Sequence, residues 1–264
     1  MRTAIVELAE IPVLTRRELV GNLLKGSAAL AVASERRIFA EGVTPFSLKL
    51  ANAAPVEVAA NFTGLGYEMS SVATPDLLST ANHRYVELVR GLGPQGVLRV
   101  GGIVANFTRY VPDGPAKFER QGTVITRASV ERFAAFLNKV GWTAIWSINF
   151  AQGTIDDAIE EARVVFEVLG PRLLALEIGN EVDSYGKGQP FRPENYNYDV
   201  YRKEYGDWHA AIMKAIPGIP FAAPDTARSA DWVARMAQDA KGDVQWLTTH
   251  YYRNAKCEAL RSNC

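Results

Sequence analysis

The residues Leu173 to Asp183, Leu-Leu-Ala-Leu-Glu-Ile-Gly-Asn-Glu-Val-Asp, carry the densest chemical signal in the chain. An apolar run stops at Gly179, and Asn180 and Glu181 follow at once. Such a run reads as a buried parallel strand that delivers an amide and a carboxylic acid to the rim of a sheet. A carboxyl partly withdrawn from water there is raised above the pKa of a free Glu, which suits it to give a proton and later take one back. Other groups end similar runs. Glu68 closes Thr63-Gly64-Leu65-Gly66-Tyr67, and it reads equally well as a site acid or as an acid in a surface loop. His250 and Tyr252 close a later run that begins Thr248-Thr249, and with only three His in the chain His250 is assigned to the site rather than to a structural role. Tyr185 opens an aromatic-rich segment that continues through Phe191, Tyr196, Tyr198, Tyr201 and Tyr205. Helical spacing gives Tyr201 and Tyr205 to a core face, whereas Tyr185 is close enough to Glu181 to meet a ligand. Glu177 lies on the face of Glu181, two pleats below it, and is expected inside the fold, paired with Arg99, because a buried carboxylate needs a partner. Asp225, after Pro224, reads as the N-cap of the next helix.

The elements that must position these groups alternate. Strand-like runs cover Val58–Tyr67, Gly96–Gly102, Trp142–Phe150, Leu173–Gly179, Ile219–Asp225 and Val244–Tyr252. Helical patterns cover Thr74–Leu92, Arg127–Val140, Thr154–Leu169, Tyr196–Ile216 and Ser229–Ala240. Strand–helix alternation implies βαβ units and a parallel sheet. Six units without a dinucleotide fingerprint suit an α/β fold of the (β/α)8 barrel type, whose catalytic groups sit at strand ends.

Composition excludes several classes. The chain has 264 residues, with 48% hydrophobic residues, so it is long and apolar enough for one large domain. Lys plus Arg and Asp plus Glu both number 29, which gives no electrostatic argument for nucleic acid or for an anionic membrane. Three scattered His and two Cys give no zinc spacing, Gly101-Gly102 lacks the rest of a phosphate loop, and no Ser has a nucleophile-elbow context. No metal or other cofactor is expected. Cys257 and Cys264 are either a small loop-closing bridge or two free thiols. Residues 1–33 read as an export signal: Arg16-Arg17 resembles a twin-arginine motif, a weakly apolar stretch follows, and Ala31-Val32-Ala33 fits a cleavage site. A periplasmic or extracellular location is the expectation. Asn61-Phe62-Thr63 and Asn106-Phe107-Thr108 match glycosylation acceptors, a match of little weight if the export signal is bacterial. Residues 34–57 read as short strands broken by Gly42, Pro45 and Pro55, and residues 58–264 as the barrel units.

Taken in order, four motifs resemble glycoside hydrolase family 79, a family of β-glucuronidases and heparanase-like enzymes in clan A. They are Phe62 to Glu68, Val97-Leu98-Arg99-Val100-Gly101-Gly102, Leu176-Glu177-Ile178-Gly179-Asn180-Glu181 and Thr248 to Tyr252. The resemblance implies a retaining glycosidase acting on β-linked uronic acid glycosides, with Glu181 as general acid/base. It implies that Asn180, Glu68, His250 and Tyr252 face the sugar, and that residues 34–57 supply strands to a side β-sandwich. Retention needs a second carboxyl group about 5–5.5 Å away as nucleophile. The family carries it on a seventh strand, and only 12 residues follow Tyr252. The family's polar loop after the second strand is replaced by Ile103-Val104-Ala105. The expectation is therefore the N-terminal portion of such an enzyme, lacking its nucleophile. A noncatalytic carbohydrate-binding relic and a clan A glycosidase of other sugar specificity are the alternatives.

Overall fold

The computed structural model describes residues 57–251. The expected export signal, all but the last residue of the strands expected over 34–57, Tyr252 and both cysteines lie outside the described residues. By its contacts the chain divides into Met1–Val56 and Glu57–Cys264, and the second unit carries everything that follows.

Eight strands occur among the described residues. β1 (Gly64–Glu68), β2 (Val97–Gly101), β5 (Thr143–Ile148), β6 (Leu173–Ile178), β7 (Phe221–Thr226) and β8 (Trp246–Thr249) form one sheet in the order β1-β2-β5-β6-β7-β8. All five pairings are parallel. β3 (Arg109–Tyr110) and β4 (Val124–Ile125) make a separate two-stranded pair. The helices are α1 (Ser70–Ala73), α2 (His83–Leu92), α3 (Gly102–Ala105), α4 (Arg127–Val140), α5 (Ile155–Leu169), α6 (Tyr198–Ala215) and α7 (Ala230–Asp239). Consecutive main strands are neighbours throughout. The result is a parallel part-barrel of the (β/α)8 type, as the alternation in the sequence requires.

The central strands are apolar because both of their faces are covered. Every residue of β7 is buried, and in β6 all but Leu174 are. α4 buries Val130, Phe133, Phe136, Leu137 and Val140, with Phe133 against the ring of Trp146 in β5 and Phe136 stacked on Tyr85 of α2. Burying each such side chain is worth about 1.5–3 kcal/mol. Gly96 lets the backbone touch the Trp142 ring, since a Cβ there would stand 2.5 Å from it. Polar caps set the helix starts: Thr126 with Ser129 and Thr154 with Asp157 form capping boxes, and Asn197 and Ser229 accept from the first turns of α6 and α7.

The helix expected over Thr74–Leu92 is shorter, beginning at His83. The Asn82 amide donates to the carbonyls of Asp76 and Leu77, and the Ser79 hydroxyl accepts from the Ala81 N–H. Local side-chain bonds of this kind hold the preceding segment in turns instead of a helix. The first strand begins at Gly64 rather than Val58, where its pairing with Val97 begins. No helix among the described residues is long and apolar enough to cross a membrane.

Candidate active site

Two side chains at neighbouring strand ends are held in an uncommon backbone conformation. Glu181, just beyond β6, has φ 53°, and Asp225 in β7 has φ 52°. Left-handed φ is rare for residues other than Gly and gathers at functional sites. Gly179, at φ 96°, makes the turn into Glu181, and a Cβ there would run into Val182 and the Tyr185 hydroxyl.

Below them Arg99 is the node of the site. It rises from β2, and its Nε donates to Glu177 Oε2 at 2.8 Å. One terminal nitrogen donates to Asp225 Oδ2 at 2.7 Å, Asn180 Oδ1 at 3.0 Å and Ser147 Oγ at 3.3 Å. The register explains part of this geometry: Ser147 of β5 stands opposite Glu177 of β6, and its hydroxyl donates to Glu177 Oε2 at 2.5 Å. Burial works against the Arg99 charge, but Glu177 and Asp225 outweigh it and raise the guanidinium above its usual pKa. Burial pushes the Glu177 carboxyl upward, and Arg99 pulls against that shift. The expected Glu177–Arg99 pair is therefore present, with Asp225 as a third member.

Asp225 corrects the reading of it as a helix cap. Its carboxyl is buried between Arg99 and His250, and the helix begins later, where Ser229 Oγ accepts from Trp232 N–H. His250 follows β8 and is anchored through its N–H to the Thr226 carbonyl at 2.8 Å. Its Nδ1 lies 2.9 Å from Glu181 Oε1 and its Nε2 lies 3.2 Å from Asp225 Oδ1. Bonds to Asp225 and then to Glu181 lift its pKa to about 10, against the effect of burial. His250 is thus an imidazolium at neutral pH, donating to a carboxylate on each side.

The second Glu181 oxygen accepts from Gln189 Nε2 at 3.3 Å. Gln189 in turn accepts from Asn106 Nδ2 at 3.1 Å, and Asn106 Oδ1 accepts the Tyr185 hydroxyl at 2.8 Å. Asn106 is fully buried in this chain of bonds, so the Asn106-Phe107-Thr108 triplet presents no glycan acceptor on the surface in this fold. Tyr185 is also fully buried, with its ring against Phe150, Phe191 and Tyr196, so it packs behind Asn180 and not against open space. Glu68 lies at the end of β1, where its Oε2 accepts the Val104 N–H at 2.9 Å in α3. The unexpected apolar segment after Gly102 thus contributes a backbone donor where the polar side chains were missed.

Glu68, Arg99, Arg120, Asn180, Glu181 and His250 line one cleft of about 480 Å³ with Gly66, Tyr67, Gly102 and Ile103. Four of the six residues singled out from the sequence meet there. Tyr185 supports it from behind, and Tyr252 lies outside the described residues. Sequence reasoning missed Gln189, Asn106 and Arg120, which sit in loops without periodicity. Behind the cleft, the Asp183 carboxyl accepts the N–H groups of Ala227, Arg228 and Ser229 at 2.6, 3.0 and 3.0 Å. Among the described residues no group of three or more His, Cys, Asp or Glu is placed to hold a metal.

No protein-family model matches the chain, and no curated protein matches it. Solved structures do match. A 4-O-alpha-L-rhamnosyl-beta-D-glucuronidase from Fusarium oxysporum 12S superposes with a TM-score of 0.59 at 12% identity, over 74% of this chain and 45% of that one. The chain shares its fold. AbfB, a family 51 alpha-L-arabinofuranosidase from Bifidobacterium longum, gives 0.53 at 16% identity, over 76% of this chain and 46% of that one. The chain spans less than half the length of either enzyme.

Proposed function

We propose that the cleft is the sugar-binding centre of a retaining glycoside hydrolase, with Glu181 as its general acid/base. One observation carries the reading: a strand-end carboxyl, set in a left-handed turn, opens into a cleft of about 480 Å³ with a charged imidazole and an amide beside it. In that role a proton passes from His250 to Glu181 and on to the departing glycosidic oxygen, and Glu181 then draws a proton from water and returns it to His250. His250 is the adjoining proton store, and Asp225 holds its charge. Arg99 orients Asn180, which in this reading bonds a ring hydroxyl next to the reacting carbon. The second carboxyl of a retaining pair is assigned, by the family resemblance, to a strand beyond His250.

A β-linked uronic acid is the proposed substrate class. Arg99 has its charge matched by Glu177 and Asp225, which leaves Arg120 as the cation at the cleft best suited to a substrate carboxylate. The test is calorimetric titration of this chain with nitrophenyl β-D-glucuronide and the matching glucoside, and their hydrolysis by a form that includes the strand carrying the second carboxyl. Glucuronide should be preferred, Glu181→Gln should reduce hydrolysis by about 100-fold or more while binding persists, and Arg120→Gln should weaken the glucuronide alone by about ten-fold. Hydrolysis at an unchanged rate in Glu181→Gln, or no uptake of either glycoside, would overturn the reading. Binding without hydrolysis by a form that includes that further strand would favour the noncatalytic carbohydrate-binding alternative.

A further inference from the structure

A second cavity of about 490 Å³, sharing no lining residue with the cleft, opens between the loops that follow β2 and β5 and the start of α5. Its walls include Phe107, Tyr110, Gln121, Asn149, Gln152 and Glu161. Its size lies within the range of small-molecule sites, and its mix of amides and aromatic rings suits a polar ring-sized ligand. The lining also holds a group with unmet bonding capacity. Glu161 projects from α5 and is only 5% exposed. One carboxyl oxygen, Oε1, accepts the Trp146 indole N–H at 2.7 Å, and the other is not sealed from the cavity that Glu161 lines. A buried carboxyl is ordinarily paired, because leaving it unmatched costs several kcal/mol.

The geometry points to a second ligand site in this cavity, one that takes a small polar molecule bearing a primary ammonium group, with Glu161 as the counter-ion. The ammonium supplies the N–H donors that Glu161 lacks, and Phe107 and Tyr110 offer ring faces to the carbon skeleton. Gln121 and Gln152 are available to its hydroxyl groups. Asp157, one turn earlier on α5, adds a second negative charge to the wall, and Arg109 from β3 is the cation there. Burial, with a smaller push from Asp157, lifts the Glu161 carboxyl to about 7 against the pull of the Trp146 bond. The group is therefore poised to ionise beside an arriving cation.

The experiment is calorimetric titration of the 264-residue chain with D-glucosamine at neutral pH, with D-glucose as the same ring without the ammonium. Glucosamine should bind, and glucose should bind at least about ten-fold more weakly. Glu161→Gln, whose amide oxygen still accepts from Trp146, should cost glucosamine about ten-fold or more. Gln152→Ala, at an exposed position on the rim, should weaken it by a smaller factor and guards against a folding defect in the first variant. Glu181→Gln should leave glucosamine binding unchanged, which separates this site from the cleft. No uptake, equal uptake of the two sugars, unaltered binding by Glu161→Gln, or a loss that follows Glu181→Gln would each overturn the inference.

Discussion

At the scale of residues, the site is built around a cation that does no chemistry of its own. Arg99 gathers Glu177, which is fully buried, and Asp225, which is 1% exposed. Removing it leaves the buried Glu177 without a cation and Asp225 with His250 alone, and uncompensated buried charge is the costly case. Arg99→Met should therefore lower unfolding free energy by about 3–5 kcal/mol in a urea titration, and Arg99→Lys should lose less because charge survives although the planar fork does not. His250 gives a pH signature. Its folded pKa of about 10 exceeds the ordinary imidazole value of 6.5, so its contribution is complete below pH 6.5 and fades as pH rises toward 10. The stability gap between the protein and His250→Gln should accordingly be widest in mild acid and close in alkali. A gap that widened with pH would exclude the imidazolium. These two residues were unequally legible. Arg99 is a lone charge inside an apolar strand, which signals a buried partner. Asp225 misled because an acid after Pro looks like a cap, and only the later start of α7 at Ala230, with Ser229 as its cap, shows otherwise.

At the scale of elements, strand ends were readable because apolar runs break sharply at Gly and polar residues. All six main strands fall within the runs read from the sequence or one residue beyond them, and α4 matches residue for residue. What escaped were features with no period: the two-residue strands β3 and β4, the single turn α3, and the bonds that unravel the start of the expected second helix. α3 matters more than its length suggests, since it offers the Val104 N–H to Glu68. Gly102, at φ 67°, permits that approach, and a Cβ on it would collide with the Glu68 carboxyl. Gly102→Ala should displace Glu68 and weaken glycoside binding while leaving most of the helical circular dichroism intact. Full retention of binding would show that Glu68 does not meet the ligand.

At the scale of the whole molecule, the described sheet has two edge strands, β1 and β8. β8 shows Trp246 at 43% and Leu247 at 47% exposure, and an apolar strand edge invites pairing with another chain. The 264-residue chain should therefore self-associate with concentration in light scattering, and Trp246→Lys with Leu247→Glu should suppress it. A monomer at every concentration would mean that this edge is covered. The barrel class was legible from the order of elements alone, because parallel strands can be joined only by crossovers. The bond from Asp183 to the backbone of Ala227, Arg228 and Ser229 has a consequence for how this molecule breathes. One carboxylate clamps the segment behind Glu181 to the segment behind Asp225, so the two loops have a shared stiffness and not two separate ones. Thermal opening at one strand end is then transmitted to the other, so Glu181 and Asp225 shift together and keep their register.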